Sequence, residues 1–266
     1  MPRAPRPLIV AHRGVSAHAP ENTLPAFQMA IDAGADGIEL DVRVSKDGIP
    51  VVVHDRNLRR LAGMEIAVSD LTADQLARVN VGSHFNKSHP GISRDEFARA
   101  GIPTLIQVLD FADAWNGTIH IELKIDKKRE MEPLVQAVCG VIYDSQALPR
   151  IVLSSFRMTA LAEAKHVLPS VRTSALFSPT IMRFLKRRRH MISLARAFGA
   201  NEISPYRSLV TPKLGRTARE IGVPINIWTC NNVKWIDRAL ETGVNAVITN
   251  DPAKLISYRS QLDVDE

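Results

Sequence analysis

A chain of 266 residues with 45% hydrophobic content can bury one large core, and this is a length at which an α/β barrel commonly forms a single domain. The net charge of +6 favours anionic partners, but Lys and Arg are spread along the whole chain, so a nucleic-acid surface is not expected. Cys139 and Cys230, the two cysteines, have neither metal-ligand spacing nor a disulfide framework, which fits a reducing compartment.

From the start, "MPRAPRPLIVAHRG" offers too short an apolar run for a secretory h-region. No later run reaches membrane-spanning length, and a cytoplasmic location is expected. The first strand signal is "PLIVAH", followed by the helical "ENTLPAFQMAIDAG". There Leu24, Phe27, Ala30 and Ile31 recur at helical spacing and Gly34 marks the end. Asn22 and Thr23 are candidate caps for that helix. "GIELDV" opens a second unit and leads to "VVVHD". Residues of about 57 to 103 then break the rhythm with "SDLTADQLARVNVG" and the polar "SHFNKSHPGISRDEF". They read as an exposed insertion with one short helix, a candidate lid, ahead of the helix of "TLIQVLDFADAW".

The alternation resumes with "TIHIEL" before a helix from about Met131, then "IVLSS" before one from about Met158. "RTSALF" precedes the helical "TIMRFLKRRRHMISLARAFG", whose run Lys186 to His190 reads as a solvated outer face. "ANEISP", "PINIWT" and "NAVIT" complete eight strand signals, each with a helical pattern behind it. Eight such units without a Gly-rich dinucleotide fingerprint predict an α/β fold, a closed (β/α)8 TIM barrel. No repeat or linker divides the chain, so residues 1–266 are expected to form one barrel domain with a small insertion after the second strand.

In a parallel barrel the strand C-terminal ends form the active face. His12 and Arg13 end the first strand, Glu39 and Asp41 the second, and Glu122 and Lys124 the third, with His54 and Asp55 following the second. Residues at i and i+2 share a strand face, so Glu39 with Asp41, and Glu122 with Lys124, project together into the barrel mouth. Three converging carboxylates repel unless protons or a cation neutralise them. All-oxygen ligation by Glu39, Asp41 and Glu122 suits one hard divalent ion, Mg²⁺ or Ca²⁺, with Mn²⁺ also admitted. His12 and His54 titrate near neutrality and are candidates for two proton transfers. Arg13, Lys124 and the metal would meet the nonbridging oxygens of a phosphate. The ensemble reads as phosphodiester cleavage.

A structural alternative pairs the three acids with Arg13, Arg43 and Lys124 across the barrel as a buried charge network. A lone histidine is usually a hydrogen-bonded core residue, and an aromatic in a strand such as Trp228 or Phe156 is usually core. His18, His84, His89 and His120 are scattered and receive no role.

The motifs "AHRG", "PENT", "GADGIELDV", "KDGIPVVVHD", "IELK", "SSF" and "WT.N" resemble, in order and spacing, the glycerophosphodiester phosphodiesterase family from the first strand to the last. The resemblance implies a barrel with an insertion after strand two, and cleavage of glycerophosphodiesters into sn-glycerol 3-phosphate and an alcohol. It implies His12 and His54 as acid and base, Glu39, Asp41 and Glu122 as ligands of a divalent cation, and Arg13 as a phosphate contact. Lys124 would lie beside the metal, Trp228 would line the substrate pocket, and Glu21 would support the metal-site residues. Two departures bear on specificity: "RNLRRLAG" follows the His-Asp pair, and the last strand ends "TNDP" rather than "TD.P". A lysophospholipase D-like activity on acylated lipids would need an apolar trough at the barrel mouth. A silent barrel that binds phosphodiesters or a protein would be expected to lack a catalytic group. Oligomeric state and head-group preference are not encoded in these motifs.

Overall fold

The computed structural model describes residues 6–182 and 190–264. Lys186 to Arg189 of the basic run lie outside the described residues, and His190 opens the helix His190–Ala197. Among the described residues nine strands form one sheet: β1 (Leu8–His12), β2 (Gly37–Val44), β3 (Pro50–Val52), β4 (Thr118–Leu123), β5 (Ile151–Ser155), β6 (Arg172–Phe177), β7 (Glu202–Pro205), β8 (Asn226–Ile227) and β9 (Ala246–Thr249). Eight are parallel, in the order β7-β6-β5-β4-β2-β1-β9-β8. Parallel bridges between Ile203 and Ile225, and between Tyr206 and Trp228, join the two ends, so the chain forms a nearly closed TIM barrel. The run "PINIWT" contributes only two residues to β8, while Ile225 and Trp228 on either side of them make the single bridges to the β7 side.

Each strand buries one face against covering helices and the other inside the barrel, which is why the runs read as nearly continuous apolar stretches. The helix Leu24–Asp32 starts where Thr23 Oγ1 accepts the Ala26 amide and buries Ala26, Phe27 and Ala30. Gly14 sits directly under it: a Cβ there would lie 2.6 Å from the Ala26 carbonyl, and its φ is +76°. Only glycine fits that close approach.

The segment after β2 adds one element and changes one expectation. The run after β2 is an antiparallel strand, with Arg43 opposite Val51 in β3. This hairpin turns the chain back so that the Val53 amide bonds the Asp41 carbonyl at 2.9 Å, bringing His54 to the rim of β2. Residues 57 to 103 are not an exposed loop with one short helix. They contain the helices Arg59–Ala62, Ala73–Ala77 and Val81–Ser88, with one 3₁₀ turn after the first and two after the last. Leu58, Val68, Leu76, Val81 and Ile102 bury themselves with Val51 and Val53 as a small apolar cluster. Helices of four to eight residues complete too few turns for periodicity to reveal them.

The insertion is docked by Phe97, which is fully buried with Ala19 and Ala26 of the barrel. Gly82 permits this, since a Cβ there would overlap the Phe97 carbonyl oxygen at 1.6 Å. Deleting a buried phenyl ring removes apolar contact and leaves a cavity, so Phe97→Ala should destabilise the fold by about 3–5 kcal/mol. Denaturant unfolding of the variant beside the wild type measures this, and a loss under about 1 kcal/mol would mean that the insertion is held otherwise.

Candidate active site

Strand register builds the site. His12 of β1 is the Cα partner of Glu39 in β2, and Glu39 and Asp41 partner His120 and Glu122 of β4. Parallel partners project to the same side, so this register stacks the acids in two neighbouring rows. Glu39, Asp41 and Glu122 each offer an oxygen, and these three atoms lie within 4.8 Å of one another.

Asp41 is completely buried. Its Oδ2 accepts from Asn22 Nδ2 at 2.9 Å, and Asn22 Oδ1 accepts the Asp41 amide at 3.2 Å. Arg13 Nε lies 3.0 Å from the same Oδ2, close enough for an ion pair but without hydrogen-bond alignment. Lys124 Nζ lies 3.5 Å from Asp41 Oδ1 and 2.7 Å from Glu122 Oε1. Burial alone would raise the Asp41 pKa; Arg13 and Lys124 outweigh it and hold the carboxyl down at about 2. Burial, with Asp41 and Glu122 alongside, pushes Glu39 well above the carboxylate range. Burial and Asp41 likewise push Glu122 up.

Asn22 and Arg13 owe their positions to backbone in the left-handed region, with φ of 58° and 56°. That conformation costs a non-glycine residue about 1–2 kcal/mol. It is held because the Arg13 amide donates to the Glu39 carbonyl at 2.8 Å and the Arg13 carbonyl accepts the Asn22 amide at 3.0 Å. The sequence reading gave Asn22 a helix cap. Thr23 alone does that work, and Asn22 grips Asp41.

Both histidines have Nδ1 engaged, and Nε2 makes no hydrogen bond among the described residues. His12 Nδ1 meets Asn250 Oδ1 at 2.7 Å, while Nε2 faces Glu39 Oε2 at 3.9 Å. An amide oxygen only accepts, which assigns the His12 proton to Nδ1 in the neutral ring. Burial, then the neighbouring Arg13, pushes the His12 pKa down to about 4. His54 Nδ1 meets Asp55 Oδ1 at 2.7 Å, with the same tautomeric consequence, and burial lowers its pKa as well.

Arg60 of the insertion binds Asp55 Oδ2 at 2.6 Å and both oxygens of Glu21 at 2.6 and 2.8 Å. Glu21 in turn accepts from Arg13 at 3.0 Å. Glu21, expected to support the metal-site residues, contacts Arg13 and Arg60 in a carboxylate–guanidinium chain that reaches Asp41 through Arg13. Arg43 does not pair with the three acids; it binds Asp126 at 2.7 Å and the His54 carbonyl at 2.8 Å.

The cavity at this rim has a volume of about 270 Å³ and is bordered by His12, Arg13, His54, Lys124, Phe156 and Trp228, with Glu39 and Glu122 among the groups below. Trp228 is both pocket wall and packing residue: it stands edge-on to Phe156 at 5.6 Å, and its Nε1 donates to the Ser204 carbonyl at 2.7 Å. His120, given no role from sequence, also lines this cavity. It is buried beside Thr118 Oγ1 at 3.3 Å. His84 and His89 border a different cavity, and His18 faces Asp251 at 3.5 Å.

The three carboxylates fit a divalent cation. Asp41 Oδ1 is buried with no hydrogen-bond partner, and the two cations within reach, Arg13 and Lys124, leave three acids underneutralised, as the raised Glu39 and Glu122 register. The donor set is entirely oxygen, which suits a hard ion.

Residues 12–254 match the glycerophosphoryl diester phosphodiesterase family. A glycerophosphodiester phosphodiesterase of Caldanaerobacter subterraneus is 30% identical over 253 residues, covering 94% of this chain and 96% of that protein. A glycerophosphodiester phosphodiesterase of Bacillus altitudinis is 30% identical, covering 96% and 98%. Among solved structures, a phosphodiesterase of Oleispira antarctica in complex with the product sn-glycerol-3-phosphate superposes with a TM-score of 0.81 at 25% identity, covering 96% of this chain and 97% of that one. On these similarities, spanning almost the whole barrel, the chain belongs to the glycerophosphoryl diester phosphodiesterase family.

Proposed function

We propose that this family member hydrolyses glycerophosphodiesters to sn-glycerol 3-phosphate and an alcohol, with a divalent cation at Glu39, Asp41 and Glu122 and an acid/base pair of His12 and His54. The observation that carries the reading is the buried Asp41 Oδ1, which has no hydrogen-bond partner among the described residues, within a carboxylate triad at a cavity bordered by both histidines. A cation bound there would neutralise charge on a phosphate oxygen and lower the pKa of a hydroxyl beside it. Mg²⁺ and Ca²⁺ suit these ligands, and Mn²⁺ does too.

The protein groups divide the remaining work. Arg13 and Lys124 face the nonbridging oxygens, where their charge counts most as negative charge develops. The tautomers held by Asn250 and Asp55 direct both imidazoles through Nε2. One imidazole removes the proton of the attacking hydroxyl and the other protonates the departing alcohol. A vicinal hydroxyl on the substrate reacts as an intramolecular nucleophile, so the glycerol 2-hydroxyl attacks and gives a cyclic phosphate that water then opens. Phe156 and Trp228 offer an apolar wall for the glycerol carbons. The cavity, about 270 Å³, is small for a ligand site and favours a deacylated substrate over one that retains an acyl chain. The silent-barrel alternative gains no support, because no expected catalytic group is missing. The insertion, through Arg60, is read as shaping substrate entry and steadying His54.

Three outcomes are expected. Asn22→Ala should weaken divalent-cation binding by about 10- to 100-fold, the range for loss of a ligand-orienting contact, and Asp41→Asn by more; calorimetric titration with Mg²⁺ and Ca²⁺ reads both, and unchanged affinity would dismiss the triad as the binding site. His12→Ala and His54→Ala should each lower kcat by about 10²–10⁴ while circular dichroism stays native. Retained turnover in either would strike that histidine from the mechanism. A propanediol analogue lacking the 2-hydroxyl should bind comparably yet turn over far more slowly. Equal kcat values, measured where chemistry limits the rate, would instead point to water as the nucleophile.

A further inference from the structure

We propose that a second, basic cavity beside the catalytic one receives an additional anionic group, so that the preferred glycerophosphodiesters carry a phosphate monoester on the alcohol that leaves. This inference rests on the proposed phosphodiesterase reaction. The second cavity, about 280 Å³, is bordered by Arg43, Arg56, Lys124 and Arg129, with Asp126 and Glu130 as its acidic members. Lys124 is a wall residue of both cavities, and a phosphodiester held there with its glycerol in the barrel mouth would send its other ester arm into the basic cavity.

The cavity holds four cations and two carboxylates, although Lys124 is already committed to Glu122 and Asp41. Asp126 is already engaged by Arg43 at 2.7 Å, and Glu130 Oε2 accepts the Lys127 amide at 2.9 Å. Arg56 and Arg129 are exposed, and neither forms an ion pair with a described residue. Arg56 meets Asp126 only through its longer-range charge, and an exposed guanidinium without a salt-bridge partner is suited to the planar, bidentate recognition of a phosphate. The helix Met131–Asp144 begins at the same place, with Pro133 and Leu134 of its first turn in the wall, and its positive end adds to the field. The cavity on the other flank of the rim differs: its Arg60 is locked by Glu21 and Asp55 and offers no surplus cation to an anion.

The test compares sn-glycero-3-phosphoglycerol with the same diester bearing a terminal phosphate monoester on the leaving glycerol. Wild-type kcat/KM should favour the phosphorylated substrate by about tenfold or more, as expected for one or two charge-assisted hydrogen bonds. Arg56→Gln and Arg129→Gln should each reduce that ratio several-fold, and the double variant should bring it close to one. The ratio, unlike either rate alone, is unmoved by partial unfolding. Equal wild-type kcat/KM for the two substrates, or a preference that survives in the double variant, would overturn the second site while the phosphodiesterase reading stands. Hydrolysis of neither substrate would remove both. Inorganic phosphate is titrated in parallel: if it alters wild-type but not double-variant kinetics and the two substrates are handled alike, the cavity takes free phosphate and the head-group assignment is overturned.

Discussion

The charge on Asp41 is the constraint around which the site is arranged. A carboxylate removed from water costs several kcal/mol unless it is paired and hydrogen-bonded. Here Arg13, Lys124 and Asn22 supply the pairing. To do so, Arg13 just after β1 and Asn22 just before the first barrel helix occupy the left-handed region, and that helix closes over Gly14. The "AHRG" and "PENT" segments are therefore one device: they reverse the chain so that a guanidinium and an amide both reach a single buried oxygen. The cation count nevertheless falls short of the carboxylates, which explains why Asp41 is held ionised while Glu39 and Glu122 are driven towards their protonated forms. Replacing those protons with a divalent ion is the arrangement that the oxygen donors suit.

Much of this was legible in the sequence because strand geometry has a strict period. Glu39 with Asp41, and Glu122 with Lys124, share a face by alternation alone, and β2 and β4 are register partners, so the carboxylates had to meet once the strands paired. The barrel itself was legible for the same reason: buried parallel strands separated by helical patterns admit few topologies. Asn22 was misread because an Asn before a helix has a local explanation as a cap, and its partner is nineteen residues away. Arg60 was hidden for a similar reason, since it is 39 residues from Glu21 and sits in a stretch with no period. The antiparallel β3 has three residues, below the length at which alternation carries information. "TNDP" was noticed only as a departure, whereas Asn250 is the group that meets His12 Nδ1.

The chain of contacts running from His54 through Asp55, Arg60 and Glu21 to Arg13 and Asp41 links the two histidine-bearing strand ends by way of the insertion. Arg60 is half exposed, so its ion pairs add little to global stability. Their consequence is orientation: Asp55 has one oxygen on His54 and the other on Arg60, and Glu21 divides itself between two guanidinium groups. An imidazole held from behind in this way keeps one tautomer and one direction for Nε2. A barrel lacking the insertion would retain every proposed ligand and both histidines, yet it would lose the cation that fixes Asp55 and the apolar cluster of Leu58, Leu76 and Val81 that buries Val51 and Val53 just ahead of His54. The insertion thus forms part of the scaffold around His54 as well as a candidate cover for the barrel mouth.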